Sequence, residues 1–304
     1  MTITAASFRH EATFYAGADD FLAAAVPFLV EGLESGEPAL VALGPAKTEL
    51  LRRELGDAAA EINFADIEQF GRNPARIIPV WREFVDRLAA AGGRGIGEPV
   101  WPGRAGAEIE ECQRHESLLN VAFGDGPGWS LLCPYDSSLP DEVLAAACHS
   151  HPHGHDLDAT ADSGHEPEDP FAGELPPAPS AAPDFGYEAA TLHELRAFVA
   201  RGAAGAGLAD DRTEDLIIAA SELAANSVIH GGGSGVAAIW SEPRAVVFEA
   251  RDAGRIVEPL VGRVLPAPAQ ASGRGLWMAN QVCDLVQIRS SERGTTVRLR
   301  VGLD

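Results

Sequence analysis

Before residue 155 the chain alternates between two spacings of apolar residues. Five segments have the three-to-four-residue spacing or the composition of helices: residues 19–35, 48–55, 74–91, 107–123 and 140–148. Between them lie short apolar runs of the kind found in buried strands: residues 38–43, 62–64, 95–98 and 129–133. Strands that alternate with helices predict an α/β domain with a mostly parallel sheet and helices on both faces.

After residue 184 the order of elements changes. Two long helical segments come first and two strands follow; after an irregular stretch and a short helix, two further strands form a hairpin across residues 292–294. The helices are predicted at residues 188–203, 211–230 and 274–283, and the strands at 236–241, 245–251, 285–290 and 295–301, with an irregular stretch at 259–272. Helices followed by antiparallel strands predict an α+β sandwich.

A change in composition separates the two patterns. Residues 155–183 contain seven acidic residues, six prolines and neither Lys nor Arg. Like charges repel and proline prevents regular backbone pairing, so this stretch is expected to be an extended linker. At about 150 residues per domain, a chain of 304 residues also suggests two domains. We predict domains at residues 8–152 and 185–304, with a linker at 153–184.

Charge and composition narrow the possible functions. The formal net charge of −22 disfavours direct binding to nucleic acid or to a membrane surface, although backbone N–H groups and Mg²⁺ can still hold a nucleotide. The sequence shows no run of 18 apolar residues and no secretory signal at its start. Its four cysteines form no C-x-x-C pair. We therefore expect a reduced, cytoplasmic protein.

Three short motifs in the second half carry candidate chemistry. Glu222, Asn226 and His230 stand at i, i+4 and i+8 on one face of a predicted helix that ends in three glycines. Asp252-x-Gly254 follows an apolar strand, a pattern that an ordinary turn also gives. Gly273 and a second glycine two residues later open a helix, where backbone N–H groups can face a phosphate. Each motif alone is weak evidence.

Together, the order and spacing of these motifs resemble the N, G1 and G2 boxes of the GHKL (Bergerat) ATPase superfamily. The resemblance covers about residues 184–304 and is nearest to the anti-sigma-factor serine kinases. It implies an ATP site with Mg²⁺ as a cofactor. The residues that would form this site are Glu222, Asn226, His230, Asp252, Gly254, Arg255, Gly273, Arg274, Gly275 and Leu276.

The resemblance also implies a role for several of these residues. Asn226 would be the Mg²⁺ ligand, and Glu222 the general base that positions an attacking hydroxyl or water. Asp252 would accept the adenine amino group, with Gly254 leaving room for the ring. Gly273 and Gly275 would cradle phosphate. Residues 259–272 would be the ATP lid, and His230 would cap its helix or take part in chemistry.

The chain also has arginines near the predicted site, and it departs from the GHKL pattern at one position. By position, Arg255, Arg263 and Arg274 are candidates for pairing with phosphate. Many relatives have D-x-G-x-G, but Ile256 stands at the second glycine, so a tighter adenine loop is expected. No histidine-bearing pair of dimerisation helices precedes the site, which disfavours a conventional sensor histidine kinase.

The first half resembles the MEDS sensory domain over residues 8–152, a family with a RecA-like α/β core. The resemblance is carried by the H-x-x-x-F-Y pattern that begins at His10, the Cys-Pro-Tyr-Asp sequence that begins at Cys133 and a closing His-Pro. A P-loop around Lys47 is not supported, because no glycine precedes this lysine directly. Candidates for lining a ligand pocket are His10, Tyr15, Glu98, Trp101, Glu116, Asn120, Cys133 and Tyr135.

A His-rich run ends this half. Cys148 is followed by histidines at alternate positions, His149, His151, His153 and His155. Imidazole and thiolate donors this close together can bind Zn²⁺, Ni²⁺ or Cu²⁺, but nothing in the sequence fixes their geometry, so we favour an adventitious His-rich tail.

We interpret the chain as a cytoplasmic, signal-responsive regulator. The resemblance implies that it binds ATP–Mg²⁺ and phosphorylates Ser or Thr of an antagonist (anti-anti-sigma) protein, sequesters a sigma factor, or does both, and it is compatible with a homodimer. Direct binding to nucleic acid or to a membrane is not expected. The alternatives are an ATP-gated protein-binding module without phosphotransfer, an atypical sensor histidine kinase, and a metal or redox sensor.

Overall fold

The computed structural model describes residues 7–88, 92–151, 153–154, 169–266 and 273–303. The chain divides into two compact units, Met1–Glu168 and Asp169–Asp304, each with its own strands, helices and sheet. In the described part of the chain, no helix has the length and apolarity needed to cross a membrane.

The N-terminal unit alternates strands and helices, as predicted. Its strands are β1 (Arg9–Tyr15), β2 (Ala39–Leu43), β3 (Ile62–Asp66), β4 (Arg94–Gly97), β5 (Ser130–Asp136) and β6 (His153–Gly154). Its helices are α1 (Ala18–Glu34), α2 (Pro45–Leu55), α3 (Ile67–Phe70), α4 (Ile77–Val85), α5 (Gly106–Phe123) and α6 (Asp141–Ser150). The strands form one sheet in the order β3-β2-β4-β5-β1-β6, and every pair in it is parallel.

Helices cover both faces of this sheet, as expected for parallel strands. On one face, Tyr15, Val41 and Leu132 belong to a core that includes residues of α1 and α2. On the other face, the indole of Trp81 on α4 packs so closely over β4 that a Cβ at Gly97 would lie 2.8 Å from it. The α/β fold class predicted for this half is confirmed.

Several details of the N-terminal unit differ from the prediction, among them its first strand and the helix after residue 74. No strand was predicted at β1, because Glu11 and Thr13 interrupt the apolar pattern. The helix predicted over residues 74–91 is shorter: a 3-10 turn at Pro74–Arg76 precedes α4, which ends at Val85. The N–H groups of Arg87 and Leu88 donate to carbonyls three residues back, so the last turn tightens and the helix stops. Residues 89–91 lie outside the described residues.

Among the described residues of the C-terminal unit, three α-helices lie on one antiparallel sheet. Its helices are α7 (Leu192–Gly205), α8 (Asp210–His230) and α9 (Arg274–Val282). Its strands are β7 (Asp184–Glu188), β8 (Ser234–Glu242), β9 (Ala245–Asp252), β10 (Leu285–Ser291) and β11 (Gly294–Gly302), in the order β10-β11-β9-β8-β7. The predicted α+β sandwich is confirmed. Strand β7 was not predicted, and its edge position and polar sequence explain why.

The two faces of this sheet differ in character. Alternate residues of β9 and β11, among them Phe248 and Leu299, join the helices in a single apolar core. The intervening residues point to the other face, where Glu249 lies opposite Arg298 in the strand register. The Arg298 Nε atom donates to Glu249 Oε2 at 2.9 Å, and both side chains are buried.

Part of the predicted linker lies on that second face. The Arg298 Nη2 atom donates to the Pro176 carbonyl at 2.6 Å, and Ser290 N donates to the Phe171 carbonyl at 3.1 Å. The Phe171 side chain is buried, and Arg293 pairs with Glu174. Residues 169–183 therefore cover the sheet and help to bury the Glu249–Arg298 pair. Residues 155–168 lie outside the described residues.

We predict that breaking this pair destabilises the C-terminal unit. Glu249→Leu leaves the Arg298 guanidinium buried without its carboxylate, which should lower the free energy of unfolding by about 3–5 kcal/mol. The double variant Glu249→Leu/Arg298→Met should recover most of that loss. Urea unfolding followed by circular dichroism and by the fluorescence of Trp240, whose ring lies 5.1 Å from Arg298, measures both. A single variant as stable as the unmodified protein would contradict the prediction.

Candidate functional site

The candidate site begins with two faces of α8. Leu216, Leu223 and Ser227 are buried on the side of the core, whereas Glu222 and Asn226 are half-buried on an adjacent side. His230 ends the helix and is exposed. The apolar face anchors the helix to the sheet, and this leaves two polar side chains one turn apart beside the core.

The first turn of α9 lies directly against those two side chains. A Cβ placed on Gly275 would lie 2.7 Å from Glu222 Oε2 and 3.3 Å from Asn226 Nδ2, so a side chain there would force the Glu222 carboxylate or the helix to move. Gly273 precedes the helix in the left-handed region, with a φ of 94°. Since the first N–H groups of a helix lack partners within it, this arrangement brings backbone donors next to an amide and a carboxylate.

Asp252 is held at the end of β9 by a relay of hydroxyl groups. Tyr187 OH donates to Ser227 Oγ at 2.9 Å, and Ser227 Oγ donates to Asp252 Oδ2 at 2.6 Å. The Gly254 N–H donates to the other carboxylate oxygen, Oδ1, at 2.8 Å. The carboxylate is therefore fixed in orientation from both sides, while each oxygen keeps a second lone pair.

Two glycines allow the end of α8 to approach the segment after β9. A Cβ on Gly231 would lie 2.4 Å from Asp252 Cγ, and one on Gly254 would lie 2.8 Å from the His230 carbonyl oxygen. The Ala253 N–H donates to the Gly231 carbonyl at 3.1 Å. The motif on α8 and the Asp-x-Gly motif therefore belong to one site.

Hydroxyl groups of the β10–β11 hairpin hold the loop that follows Asp252. The Ile256 N–H donates to Ser290 Oγ at 2.8 Å, and Thr295 Oγ1 donates to the Gly254 carbonyl at 2.8 Å. The two hydroxyl oxygens are 2.7 Å apart, so Ser290 donates to Thr295 and completes the chain. These bonds fix the backbone around Ile256, which stands where many relatives have a second glycine.

The remaining predicted residues lie around this centre. The Leu276 side chain is buried in the apolar core, and Arg274 is exposed in the first turn of α9. Arg255 is exposed and pairs with Glu292 at 3.2 Å. Of the predicted ATP lid, residues 259–266 are described, and residues 267–272 lie outside the described residues.

Sequence reasoning missed three side chains that position the site. Tyr187 and Ser227 orient Asp252, and Asn280 Nδ2 donates to the Gly262 carbonyl at 2.9 Å, which ties the start of the lid to α9. Ser227 lies within the recognised motif and could have been found there. Nothing in the sequence around Tyr187 or Asn280 marks them, because their partners are 40 and 18 residues away.

The residues predicted to line one pocket in the N-terminal unit form two separate clusters. Tyr15 OH donates to Glu98 at 2.7 Å on one face of the sheet, and Lys47 Nζ lies 2.6 and 2.7 Å from the two oxygens of Glu98. Burial raises the pKa of Glu98, against the opposing effect of Lys47. Trp101 belongs to neither cluster and stacks on Arg104, at 3.6 Å.

The second cluster lies on the opposite face and contains His10, Glu116, Asn120 and Cys133. Burial, reinforced by the nearby His151, lowers the pKa of His10 to about 4. Burial and the negative charge of Glu116 raise the pKa of the Cys133 thiol well above its usual value. The single predicted pocket is therefore wrong, because strand residues of opposite parity point to opposite faces of a sheet.

In the His-rich run, only part of the predicted ligand set is described. The His149 ring lies at the exposed end of α6, 2.7 Å from the Ala145 carbonyl, whereas the His151 ring is buried in the second cluster. The backbone of His153 pairs with β1, and His155 lies outside the described residues.

Comparison with known proteins agrees with both halves of this description. Residues 9–152 match the model of the MEDS domain, described as the methanogen/methylotroph, DcmR sensory domain. Residues 185–301 match the model of the histidine kinase-like ATPase domain. A search of curated proteins gives no match.

Among solved structures, the chain is similar to the crystal structure of the RsbU and RsbW domains of Rv1364c from Mycobacterium tuberculosis, with 21% identity and a TM-score of 0.30. That match covers 39% of this chain and 32% of the other, so it spans about a third of the latter's length. A histidine kinase-like ATPase domain implies ATP binding. The chain is therefore a two-domain protein in which a MEDS sensory domain precedes a histidine kinase-like ATPase domain of the GHKL type.

Proposed function

We propose that the C-terminal domain binds ATP with Mg²⁺ and phosphorylates Ser or Thr of an antagonist protein, under the control of a signal received by the MEDS domain. Sequestration of a sigma factor by the same domain is part of this proposal. The observation that carries it is the contact of Gly275 with both Glu222 and Asn226. The choice of a protein acceptor in the sigma-factor system rests on the resemblance of the motif on α8.

The chain has suitable groups for a magnesium-complexed triphosphate. Mg²⁺ prefers hard oxygen ligands and usually takes only one or two from a protein. Asn226 offers an amide oxygen beside the N-terminus of α9, whose backbone N–H groups suit phosphate oxygens. Bound Mg²⁺ would supply charge neutralisation on the phosphates. The glycine at 275 keeps this space open, since a Cβ there would contact both polar side chains.

Asp252 suits recognition of adenine. Its carboxylate accepts hydrogen bonds from Ser227 and Gly254 and is only half-buried, so a lone pair remains for an exocyclic amino group. Because both bonds are made within the protein, the carboxylate is oriented before a ligand arrives, and little ordering is needed on binding.

Glu222 suits the role of general base. Its Oε2 atom lies beside the first turn of α9, one helical turn from Asn226. We propose that this oxygen accepts the proton of the acceptor Ser or Thr hydroxyl as that hydroxyl takes the γ-phosphoryl group of ATP. Since phosphoryl transfer depends mainly on positioning and charge neutralisation, one well-placed carboxylate is sufficient.

Replacing Asn226 tests the magnesium ligand. Asn226→Ala should weaken ATP binding in the presence of Mg²⁺ by about tenfold or more, which corresponds to about 1.4 kcal/mol, while binding without Mg²⁺ changes little. Asn226→Asp keeps an oxygen ligand and should retain part of the Mg²⁺ effect. Titration calorimetry with ATP, with and without Mg²⁺, measures each value. An unchanged Mg²⁺ effect in Asn226→Ala would count against the assignment.

Replacing Glu222 separates a kinase from a binding module. Glu222→Gln should keep ATP affinity but reduce phosphoryl transfer by about 10²–10⁴-fold, the range for loss of a general base. The assay is transfer of label from γ-labelled ATP to candidate antagonist proteins encoded nearby. Glu214→Gln, an exposed change on the same helix, is the matched control. If the unmodified protein binds ATP but labels no acceptor, the ATP-gated module without phosphotransfer is the better description.

Gly275→Ala tests the packing of α9 against α8. The added methyl group would lie 2.7 Å from Glu222 Oε2, so the helices must separate or the carboxylate must turn. We expect a loss of about 1–3 kcal/mol in the free energy of unfolding, together with weaker ATP binding. In the matched control Gly205→Ala, the methyl group would enter open space, and neither loss should occur. Equal stability of the two variants would contradict the packing described here.

A further inference from the structure

Four buried side chains of the MEDS domain bring potential metal ligands together. The ligand atoms of His10, Glu116, Cys133 and His151 all lie within 4.8 Å of one another. Glu116 Oε2 is 3.0 Å from the Nε2 atom of His10 and 3.0 Å from that of His151. The Cys133 sulfur is 3.4 Å from His10 Nε2. All four residues are at most 2% exposed.

The fold, and not a local sequence motif, produces this cluster. His10 on β1 and Cys133 on β5 belong to neighbouring parallel strands, and Cys133 is paired with Ala12. His10 and Ala12 point to the same face, so His10 and Cys133 are diagonal neighbours on that face. Glu116 comes from the middle of α5, and His151 directly follows α6. Four elements are therefore joined at one point.

The second nitrogen of each imidazole has an oxygen partner. His10 Nδ1 lies 3.1 Å from Asn120 Oδ1, and His151 Nδ1 lies 2.7 Å from the Ala147 carbonyl. The Asn120 amide is itself oriented, because its Nδ2 donates to the Ser150 carbonyl at 2.8 Å. A carbonyl oxygen can only accept, so both Nδ1 atoms carry the proton. In the neutral form of each ring, Nε2 therefore carries a lone pair, and each Nε2 lies 3.0 Å from Glu116 Oε2.

With both rings neutral, this arrangement brings hydrogen-bond acceptors together. Two imidazole lone pairs then face the same carboxylate oxygen at 3.0 Å, and the Cys133 sulfur lies 3.4 Å from one of them. In a buried site such a meeting is unfavourable unless a positive charge lies among the groups. Histidines that use one nitrogen on the metal and donate the other to a carbonyl oxygen are characteristic of metal centres.

We propose that His10, Glu116, Cys133 and His151 bind one divalent transition-metal ion of the Zn²⁺ class. Two nitrogens, one thiolate and one carboxylate form a donor set that suits tetrahedral Zn²⁺ or Co²⁺, with bonds of about 2.0–2.3 Å. Ligand atoms within 4.8 Å of one another need only small shifts to reach that geometry. With four protein ligands the site is closed, as structural and sensory metal sites are.

The proposed metal site lies in the N-terminal unit and differs from the His-rich run. Of the two histidines of that run whose side chains are described, His151 faces the cluster and His149 lies at the exposed end of α6. Metal bound by the run would depend on its histidines, whereas metal bound by the cluster depends on residues spread over 142 positions, from His10 to His151. Variants can therefore tell the two sources apart.

The test uses the full chain loaded with Zn²⁺ or Co²⁺ and then dialysed, with the metal content measured by mass spectrometry. We expect about one ion per chain and, with Co²⁺, an absorption spectrum of a tetrahedral ion with a thiolate ligand. Cys133→Ser and His151→Gln should lose most of the metal, and Cys133→Ser should lose the thiolate band. The matched controls are Cys283→Ser and the triple variant His149→Ala/His153→Ala/His155→Ala, which should bind like the unmodified protein.

Two results would overturn the proposal. One is an unmodified protein that keeps far less than one ion per chain or binds Co²⁺ without a thiolate band. The other is loss of metal in the triple variant with retention in Cys133→Ser and His151→Gln. If those variants do not fold, the unmodified protein decides: a chelator should lower the temperature at which its N-terminal domain unfolds. An unchanged temperature would also overturn the proposal.

Discussion

The packing of α8 on the antiparallel sheet is the constraint on which the candidate ATP site depends. Leu223 and Ser227 face the core, so Glu222 and Asn226 must lie on the neighbouring side of the helix. Ser227 is adjacent to Asn226 in the chain and bonds to Asp252 across the sheet. One helix therefore fixes the predicted magnesium ligand, the predicted base and the carboxylate predicted to recognise adenine relative to one another. A rotation of this helix by one residue would misplace all three.

Glycines then determine how closely the other segments can approach this helix. At Gly231 a methyl group would collide with Asp252 and with the Ser227 carbonyl, and at Gly275 it would displace the Glu222 carboxylate, so glycine is the residue that allows both close approaches without adjustment. Because these glycines belong to the three sequence motifs, the sequence alone was enough to predict that the three separated segments meet. Tyr187 could not be predicted in this way, because a single hydroxyl on an edge strand leaves no spacing pattern.

The N-terminal domain shows the limit of the same reasoning. The alternation of helix and strand was sufficient to predict the parallel sheet, since it depends on local periodicity. The predicted pocket was wrong because it combined residues without regard to the face on which each lies. Tyr15 and His10 are on the same strand but of opposite parity, so one joins Glu98 and the other joins Glu116. Similarly, the linker composition predicted an extended chain but not the burial of Phe171 against the sheet.

The strongly acidic composition also limits which groups could attract a triphosphate to the proposed ATP site. On the outer face of the C-terminal sheet, Arg298 and Arg300 pair with Glu249 and Glu242, so these cations are already neutralised within the domain. Arg255 pairs with Glu292 in the same way. With a formal net charge of −22, the overall field of the protein repels an anionic nucleotide. In the proposed ATP site, local groups would therefore have to provide the binding energy: the N-terminus of α9, the side chains of Glu222 and Asn226 beside Gly275, and the oriented carboxylate of Asp252. This is why the close approach of α8 and α9, and not a cluster of basic residues, marks the candidate site.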